Sequence, residues 1–447
     1  MKTDYFTFFD ILPAVLWLVI ILVAGIAIRN ANLDKPHYKY YLPNLYAKLI
    51  FSLGFALVYI FYYGGGDTTA FFESSVSMNN LFMKSPSMFF EKLITEPTRD
   101  NWTVYFDART GYPPHWIYKE PEAFFVSKIM SFFTFFTLKS YIASTFLIAY
   151  ITSIASWRLF ELTRSYNFCN EKFPAIGILF LPSVNFWCSG ISKDSVVFIS
   201  AAFAVYHGFK IVSLTHKSGL KNWIFFILNM FIIYHIRDFI FIAILVPLTL
   251  SISARIVKTY GGGDYVVILV RTMIFAVGMV AIGGSLISQT EEDFLETNTF
   301  LKQAAVIQDD FANNDTYGDK RYSLGEIEFT PLGLIKVMPI AILTGIYRPY
   351  IWESLSPTLI LNGLESIVFL YFTFLFFRRK PLEKFKKIRS HEFLIFALFF
   401  VLIIAFMTGL TSGLYGVLVR LRAILLPFLF VLLTFEVDRK ELEETNE

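Results

Sequence analysis

The feature that most constrains this chain is a series of apolar runs, each about as long as a bilayer is thick. A helix needs roughly 20 apolar residues to cross the hydrocarbon layer, which is about 30 Å thick. Spans are therefore predicted at residues 11–28, 46–63, 138–158, 173–189, 195–213, 264–288, 357–377, 391–409 and 416–435. The stretch 222–257 is apolar except for Arg237 and Asp238 in its middle, which predicts two short helices meeting at a polar tip. We expect an all-α bundle of about eleven spans, forming a single polytopic membrane domain over residues 1–447.

Composition excludes a soluble protein of this size, since 55% of the 447 residues are hydrophobic and only 17% are charged. The net charge of +3 is spread over short loops, so no nucleic-acid partner is expected. Cys169 and Cys188 provide neither a disulfide framework nor metal-ligand spacing. The first apolar run is expected to be a retained span, because Arg29 follows it and no small-residue cleavage site does.

The distribution of Lys and Arg predicts the orientation. Arg29, Lys35 and Lys39 follow the first span, and the segment 378–389 contains seven further cations. Loops rich in Lys and Arg face the cytoplasm. The N-terminus is therefore predicted to lie outside and the C-terminal tail inside, in a membrane that we expect to be the bacterial cytoplasmic (inner) membrane.

Two long segments then fall outside. Outer loop 1, residues 64–137, contains YFDARTGYPPHWIYKEPEAFF, whose Pro, Trp and Tyr content suggests an ordered lid. Outer loop 2, residues 289–356, begins with an acidic and Asn-rich stretch. The apolar pieces 121–137 and 331–352 are interpreted as interfacial or re-entrant helices, because counting either as a span would place RRKPLEKFKKIR outside. No internal repeat is visible, so the inverted repeats of many transporters are missing.

On this topology the polar residues at span ends gather on the outer side. They are Asp67, Lys193, Asp194, Arg237, Asp238, Arg348, Glu353, Arg420 and Arg422. Ionisable groups at membrane depth cost a few kcal/mol or more each, so they tend to line a cavity and to pair with one another or with a ligand. Several cations beside carboxylates would suit a pyrophosphate, to which Arg gives bidentate contacts and Lys a point charge.

Simpler interpretations stay open for most of these residues. Arg420 and Arg422 lie within reach of a helix end, where such side chains often extend to the interface. Lys193 and Asp194 would suit a simple turn. His235 is interpreted as a polar core residue, because a single His makes no metal site.

Asp67 is the most informative single position, because it follows Gly64, Gly65 and Gly66 directly after a span. Glycines allow backbone turns with positive φ and the close approach of a ligand. Asp67 there is either the N-cap of a helix that starts with TTAFFESS or a functional carboxylate. A carboxylate near several cations would accept a proton from a sugar hydroxyl or hold a divalent metal such as Mg²⁺ or Mn²⁺.

This arrangement resembles the GT-C superfamily of membrane glycosyltransferases and, more loosely, the multi-span polysaccharide polymerases of bacterial envelopes. GT-C enzymes use an acidic residue near a helix end in the first outer loop and take sugars from polyprenyl phosphate or pyrophosphate carriers. Asp67 in GGGDTTAFF matches that position. The segments FLPSVNFWCSGISKDS, GIYRPYIWESLSP and LVRLRAILLP look like patterns in bacterial proteins of exopolysaccharide assembly. The acidic pair often seen in the GT-C loop is absent, since Thr68 and Thr69 follow Asp67, which leaves metal dependence open.

The resemblance implies transfer or polymerisation of sugars from a lipid-linked donor to a glycan acceptor. Asp67 is then the expected base, and Glu353 or Asp194 a second acid. The substrate-binding residues are expected to be Lys193, Arg237, Asp238, Arg348, Arg420 and Arg422. Among aromatic residues, Trp102, Tyr105, Tyr112 and Trp116 are candidates to stack on sugar rings. The alternatives are a transporter or lipid-linked glycan flippase, or a membrane protein that binds a partner; membrane lipids surround the chain in every case.

Overall fold

The structure is a computed structural model that describes residues 5, 7–212, 219–259, 305–306, 310, 321–325, 327–354 and 356–437. Within these residues the chain is helical and contains no β-strand, only an isolated bridge between Arg321 and Leu414. The prediction of an all-α fold is confirmed. The predicted span 264–288 and the stretch 289–304 lie outside the described residues.

Thirteen helices are described before residue 260. They are α1 (Phe8–Asn30), α2 (Tyr41–Leu57), α3 (Asp67–Lys84), α4 (Pro86–Ile94), α5 (Trp102–Tyr105), α6 (His115–Lys119), α7 (Pro121–Phe136), α8 (Tyr141–Ser165), α9 (Lys172–Leu179), α10 (Pro182–Trp187), α11 (Lys193–Val212), α12 (Leu220–Ile236) and α13 (Asp238–Thr259). A 3₁₀ turn, Pro36–Tyr40, precedes α2, and a π-helical turn, Val58–Tyr62, follows it.

Six helices are described after residue 330. They are α14 (Pro331–Tyr347), α15 (Pro357–Arg378), α16 (Pro381–Ser390), α17 (Glu392–Thr411), α18 (Tyr415–Arg422) and α19 (Leu426–Thr434). Proline opens several helices, where its missing N–H costs nothing. Thr330 and Ser356 cap α14 and α15 by accepting hydrogen bonds from Gly333 N–H and Leu359 N–H.

Six of the described helices are long and apolar enough to cross a membrane, which marks the chain as a membrane protein. They are α1, α2 with its flanking turns, α8, α11, α15 and α17. The pair α18 and α19, bent by 63°, adds a seventh if it counts as one span. The predicted span 173–189 is instead two short helices, α9 and α10, because Pro182 disfavours a helical conformation at Leu181.

The stretch 222–257 consists of two helices, α12 and α13, as predicted. The helical pattern is interrupted at Arg237, and Asp238 begins the second helix. An Asp in the first turn is favoured by the positive end of the helix dipole.

The chain divides into two compact units. The first consists of Met1–Leu162, Ile178–His207 and Trp223–Asp238, and the second of Thr163–Gly177, Gly208–Asn222 and Phe239–Glu447. In the first unit, Gly25 of α1 faces Leu45 of α2, and Gly190 faces Phe55, at distances that leave no room for a side chain. Small residues thus allow close helix contact.

The segment 64–137 of the first unit is folded around two buried lysines. Lys128 Nζ donates to the carbonyl oxygens of Leu93 and Thr95 at 3.1 and 2.9 Å, and Lys92 Nζ donates to that of Glu96 at 3.2 Å. These carbonyls lie in and just after the last turn of α4, where they have no partner inside the helix. The lysines therefore cap α4 and attach it to the rest of the segment.

In the second unit α14 packs lengthwise against α17. Ala341 and Gly345 on α14 face Gly409 and Ala405 on α17, so both helices present two small residues four positions apart. This spacing is typical of closely packed helices in membranes. An aromatic cluster lies where α17 packs against α19. It consists of Phe393, Phe396, Phe400 and Phe428.

Candidate functional site

The turn before α3 depends on three consecutive glycines. Gly64, Gly65 and Gly66 have φ angles of 70°, 120° and 126°, conformations that other residues rarely adopt. Gly65 N–H donates to the carbonyl oxygen of Tyr59 at 2.8 Å, which closes the turn. Gly66 is the N-cap of α3, and Asp67 is its first residue rather than the N-cap.

A cavity of about 410 Å³ opens beside this turn. Its walls include the backbone of residues 64–66, the side chains of Tyr5 and Glu73, and Pro114 and Trp116. The volume lies in the range of small-molecule sites, about 300–1,000 Å³. We call it the glycine cavity.

Two polar side chains of the glycine cavity, those of Tyr5 and Glu73, are hydrogen-bonded to each other. Tyr5 donates its hydroxyl proton to Glu73, and burial together with this carboxylate raises the pKa of Tyr5. The Tyr5 ring also packs edge-to-face on Phe72 and at a tilt on Tyr141. A carboxylate and a phenol fixed in this way present hydrogen-bonding groups to a ligand with hydroxyl groups.

Trp116 provides the apolar wall of the glycine cavity, with 48% of its surface exposed. The other aromatic residues expected to stack on sugars have different surroundings. Trp102 packs on Tyr112, with ring centroids 4.8 Å apart, and donates to the carbonyl oxygen of Pro113 at 3.2 Å. Tyr105 is buried above the Lys92 ammonium, 4.9 Å away. Trp102 and Tyr112 thus order the loop that carries Trp116.

Four predicted site residues of the first unit lie at the ends of α11, α12 and α13. Arg237 donates to Asp194 at 2.9 Å, and Asp194 is only 6% exposed. Lys193 Nζ lies 3.3 Å from a carboxylate oxygen of Glu120, an acid that the sequence analysis did not select. Asp238 begins α13. We call the two ion pairs together the α11 cluster.

Helix α6 connects the glycine cavity to the α11 cluster. Trp116 and Glu120 are four residues apart, a rise of about 6 Å on a helix and at most about 14 Å in extended chain. Trp116 lines the cavity, and Glu120 pairs with Lys193. The cavity and the cluster are therefore neighbours within the first unit.

The second unit brings Arg348 and Glu353 together. Arg348 Nε donates to both carboxylate oxygens at 3.0 and 3.2 Å, and its Nη2 donates to Tyr415 at 2.9 Å. Burial raises the pKa of Glu353, but the hydrogen bonds from Arg348 and from Tyr350 N–H outweigh it, so the pKa lies below its usual range. The guanidinium of Arg348 lies over the ring of Tyr322, with its central carbon 4.9 Å from the ring centroid.

Arg422 is fully buried next to this pair. Its Nη1 donates to the carbonyl oxygens of Ile346 and Arg348 at 3.3 and 2.6 Å, and its Nη2 to that of Asn362 at 3.1 Å. These contacts fix the end of α14 and hence the position of Arg348. Arg422 acts as a positioning residue, whereas Arg420 is half-buried in the last turn of α18.

The sequence analysis missed Lys48, which is fully buried inside the span formed by α2. Its ammonium has no hydrogen-bond partner in the described residues and lies 5.4 Å from the ring of Phe198. An ionisable residue inside a span is a sign of function. Asn44 and Ser52, one turn away on either side, form a polar stripe with Lys48 that the sequence already contains.

The described residues contain no group of three His, Cys, Asp or Glu side chains that could hold a metal ion. No family model matches the chain, and comparison with curated proteins and with solved structures finds no match either.

Proposed function

We propose that the chain is a GT-C-like membrane enzyme that transfers or polymerises sugars from a polyprenyl-(pyro)phosphate-linked donor. It acts at the outer face of a bacterial cytoplasmic membrane, in the assembly of a cell-surface glycan. In this proposal the chain has about eleven spans, with α9 and α10 counted together as one broken span, and an external N-terminus. The Lys and Arg of residues 29–39 and 378–389 support that orientation.

The observation that carries the proposal is the glycine cavity next to Asp67. Asp67 follows the three glycines that form one wall, and Trp116 forms another. An exposed indole face stacks on the apolar face of a sugar ring, while carboxylates and phenols bind its hydroxyl groups. The cavity therefore combines the two kinds of contact that a sugar requires.

Asp67 acts as the general base in this proposal. It directly follows the glycine wall, is half-buried just outside the lining of the cavity, and would accept the proton of the acceptor hydroxyl as that oxygen attacks the donor sugar. Glu73, held by Tyr5, orients the sugar from within the cavity. Asp194 is paired with Arg237, so its role is to position that arginine.

Lys193 is the cation that a donor phosphate reaches most readily. Its partner Glu120 has a side chain that is 56% exposed, and ion pairs at such sites contribute only about 0–1 kcal/mol. A phosphate, with more charge, would displace Glu120. Arg237 pairs with Asp194, the residue that follows Lys193. In this proposal Arg237 stabilises the developing charge of the leaving group.

In the second unit, taken by itself, Arg348 and Arg420 are proposed as phosphate-binding cations, with Glu353 as a further acid. Arg348 donates hydrogen bonds to Glu353 and to Tyr415, and these bonds fix its planar guanidinium. Arg422 holds Arg348 in place by donating a hydrogen bond to the main-chain carbonyl oxygen of Arg348.

The test is complementation of a deletion strain, with surface polysaccharide and glycan chain length as readouts. Asp67→Asn keeps the shape of the side chain but removes its charge, so glycan production should fall by at least about 100-fold. Trp116→Ala should shorten the glycan chains. Asp34→Asn and Trp223→Ala are matched controls, because Asp34 is an exposed loop carboxylate and Trp223 is 46% exposed.

Protein levels in membranes are measured for every variant. Full glycan production by Asp67→Asn at a normal level would remove Asp67 from the mechanism. Equal losses in Trp116→Ala and Trp223→Ala would mean that the cavity has no special role.

The transporter or flippase alternative is favoured by one observation, the burial of Lys48. A translocation path needs polar groups through both halves of the membrane. Asn44 and Lys48 are buried polar residues in the first half and at the middle of the span Pro36–Tyr62, and Asp67 follows the other end of that span. Under this alternative, Lys48→Met would abolish glycan export while the lipid-linked donor accumulates.

A further inference from the structure

The second unit contains another cavity, of about 320 Å³, where α15 and α19 end. Its lining joins cations to apolar side chains. The charged residues are Arg379, Lys380, Lys384 and Glu436, and the apolar ones include Phe173, Phe372, Leu375 and Phe435. Three cations and one carboxylate give this lining a net positive charge. We call it the basic cavity.

The cations of the basic cavity differ in burial. Lys384 is only 9% exposed, and its ammonium lies 4.7 Å from the ring of Phe376 and 5.6 Å from that of Phe435. Burial, and then the charge of Arg379, lower the pKa of Lys384. Arg379 and Lys380 are exposed at the mouth, where Lys380 pairs with Glu383 at 2.9 Å. A bound anion would offset the repulsion between Lys384 and Arg379.

Helices α15 and α16, which bear or flank the cations of the basic cavity, also carry exposed apolar side chains. Leu382 and Phe385 on α16 are 84% and 46% exposed, and Phe374 and Phe377 on α15 are 60% and 58% exposed. A short helix in which Lys and Arg stand beside exposed Leu and Phe has a composition suited to the lipid interface. A ligand of this cavity therefore meets both cations and apolar side chains.

We propose that the basic cavity binds the phosphate headgroup of an anionic phospholipid, with the acyl chains against Phe372 and Leu375 of α15 in its lining. Arg379 and Lys380 contact the phosphate, and Lys384 attracts it from inside. The loop 378–389 is the one that the distribution of Lys and Arg predicts to be cytoplasmic, the side on which anionic lipids are abundant. This site is independent of the proposed glycosyl transfer.

The experiment compares two double variants of the full-length protein that lose the same charge from the same loop. Arg379→Ala/Lys380→Ala changes the mouth of the basic cavity. Lys386→Ala/Arg389→Ala removes two exposed cations that do not line it. Binding of phosphatidylglycerol is measured by native mass spectrometry and by titration into nanodiscs of phosphatidylcholine. Gel filtration checks that both variants remain folded.

The first variant should bind phosphatidylglycerol about 25-fold more weakly than wild type, since each cation near a lipid phosphate contributes about fivefold. The second should change binding much less. Equal weakening by both variants would reduce the effect to general surface charge and overturn the site. If inorganic phosphate binds the wild type as tightly as the lipid does, the cavity is a site for soluble anions and the assignment to a phospholipid is wrong.

Discussion

Helices α14 and α17 lie so close together that a single methyl group placed between them should destabilise the protein. A Cβ on Gly409 would lie 2.0 Å from the carbonyl oxygen of Ala341, and a Cβ on Gly345 would lie 2.1 Å from that of Ala405. Real Cβ atoms are essentially never within 3.0 Å of such an atom. Gly409→Ala therefore requires the two helices to separate by about 1 Å, because backbone atoms have no rotamer to change.

The magnitude follows from two opposing effects. A separation of about 1 Å costs the contacting atoms a quarter to a half of their attraction, and forcing extra methylenes into a packed core typically costs about 1–3 kcal/mol. Replacing Gly by Ala inside a helix gains about 0.5–1 kcal/mol. The net expectation for Gly409→Ala is a loss of about 1–2 kcal/mol. Gly54→Ala is the matched control, because no atom lies within 4 Å of its Cβ position and only the gain should remain.

The assay is thermal unfolding in detergent, followed by the loss of the monodisperse gel-filtration peak. For a chain of 447 residues each kcal/mol corresponds to only about 1 °C, so Gly409→Ala should melt about 1–2 °C below wild type, while Gly54→Ala melts at or above it. A wild-type melting temperature for Gly409→Ala would refute the close packing of α14 on α17. An equal loss in both variants would attribute the effect to glycine content in general.

Three further predictions concern topology and buried lysines. In a cysteine-free background, cysteines introduced at 95–120 should be labelled from outside and those at 379–390 only from the cytoplasm; the reverse pattern would invert the proposed orientation. Burial lowers the pKa of Lys92 to about 7 and that of Lys128 to about 8, so between pH 7 and about 10 the unfolded chain binds more protons than the folded one. Stability should therefore rise with pH in this window, and the double change of both lysines to Met should remove the rise in melting temperature. Lys48→Met should increase the melting temperature, because it removes an ammonium buried without a hydrogen bond; a decrease would mean that Lys48 has a stabilising partner.

The helix pattern was largely predictable because apolar length and proline position are local signals. The break at Arg237 follows from two charges inside an apolar stretch, and α7 from the apolar run 121–137. The break at Leu181 differs from the prediction: the apolar run 173–189 alone predicts an unbroken span, but Pro182 restricts the residue before it and divides the run.

The partners of the site residues were not predictable in the same way. Arg237 and Asp194 are 43 residues apart, and Lys193 and Glu120 are 73 apart, so only the packing of distant helices brings them together. The roles of Lys48 and Arg422 likewise depend on burial, which one span viewed alone does not reveal. Lys48 was nevertheless detectable as an ionisable residue inside an apolar run.

We propose that the glycine cavity and Asp67 carry out glycosyl transfer, and this is tested most directly with purified protein in liposomes. The protein is given a panel of polyprenyl-pyrophosphate-linked sugars and a glycan acceptor, and both the glycan product and the released carrier are measured. Wild type and Asp34→Asn should release carrier and extend the acceptor, and Asp67→Asn should do so at least about 100-fold more slowly. Movement of the donor between leaflets without release of carrier, at the same rate in wild type and Asp67→Asn, would contradict it and identify a flippase instead.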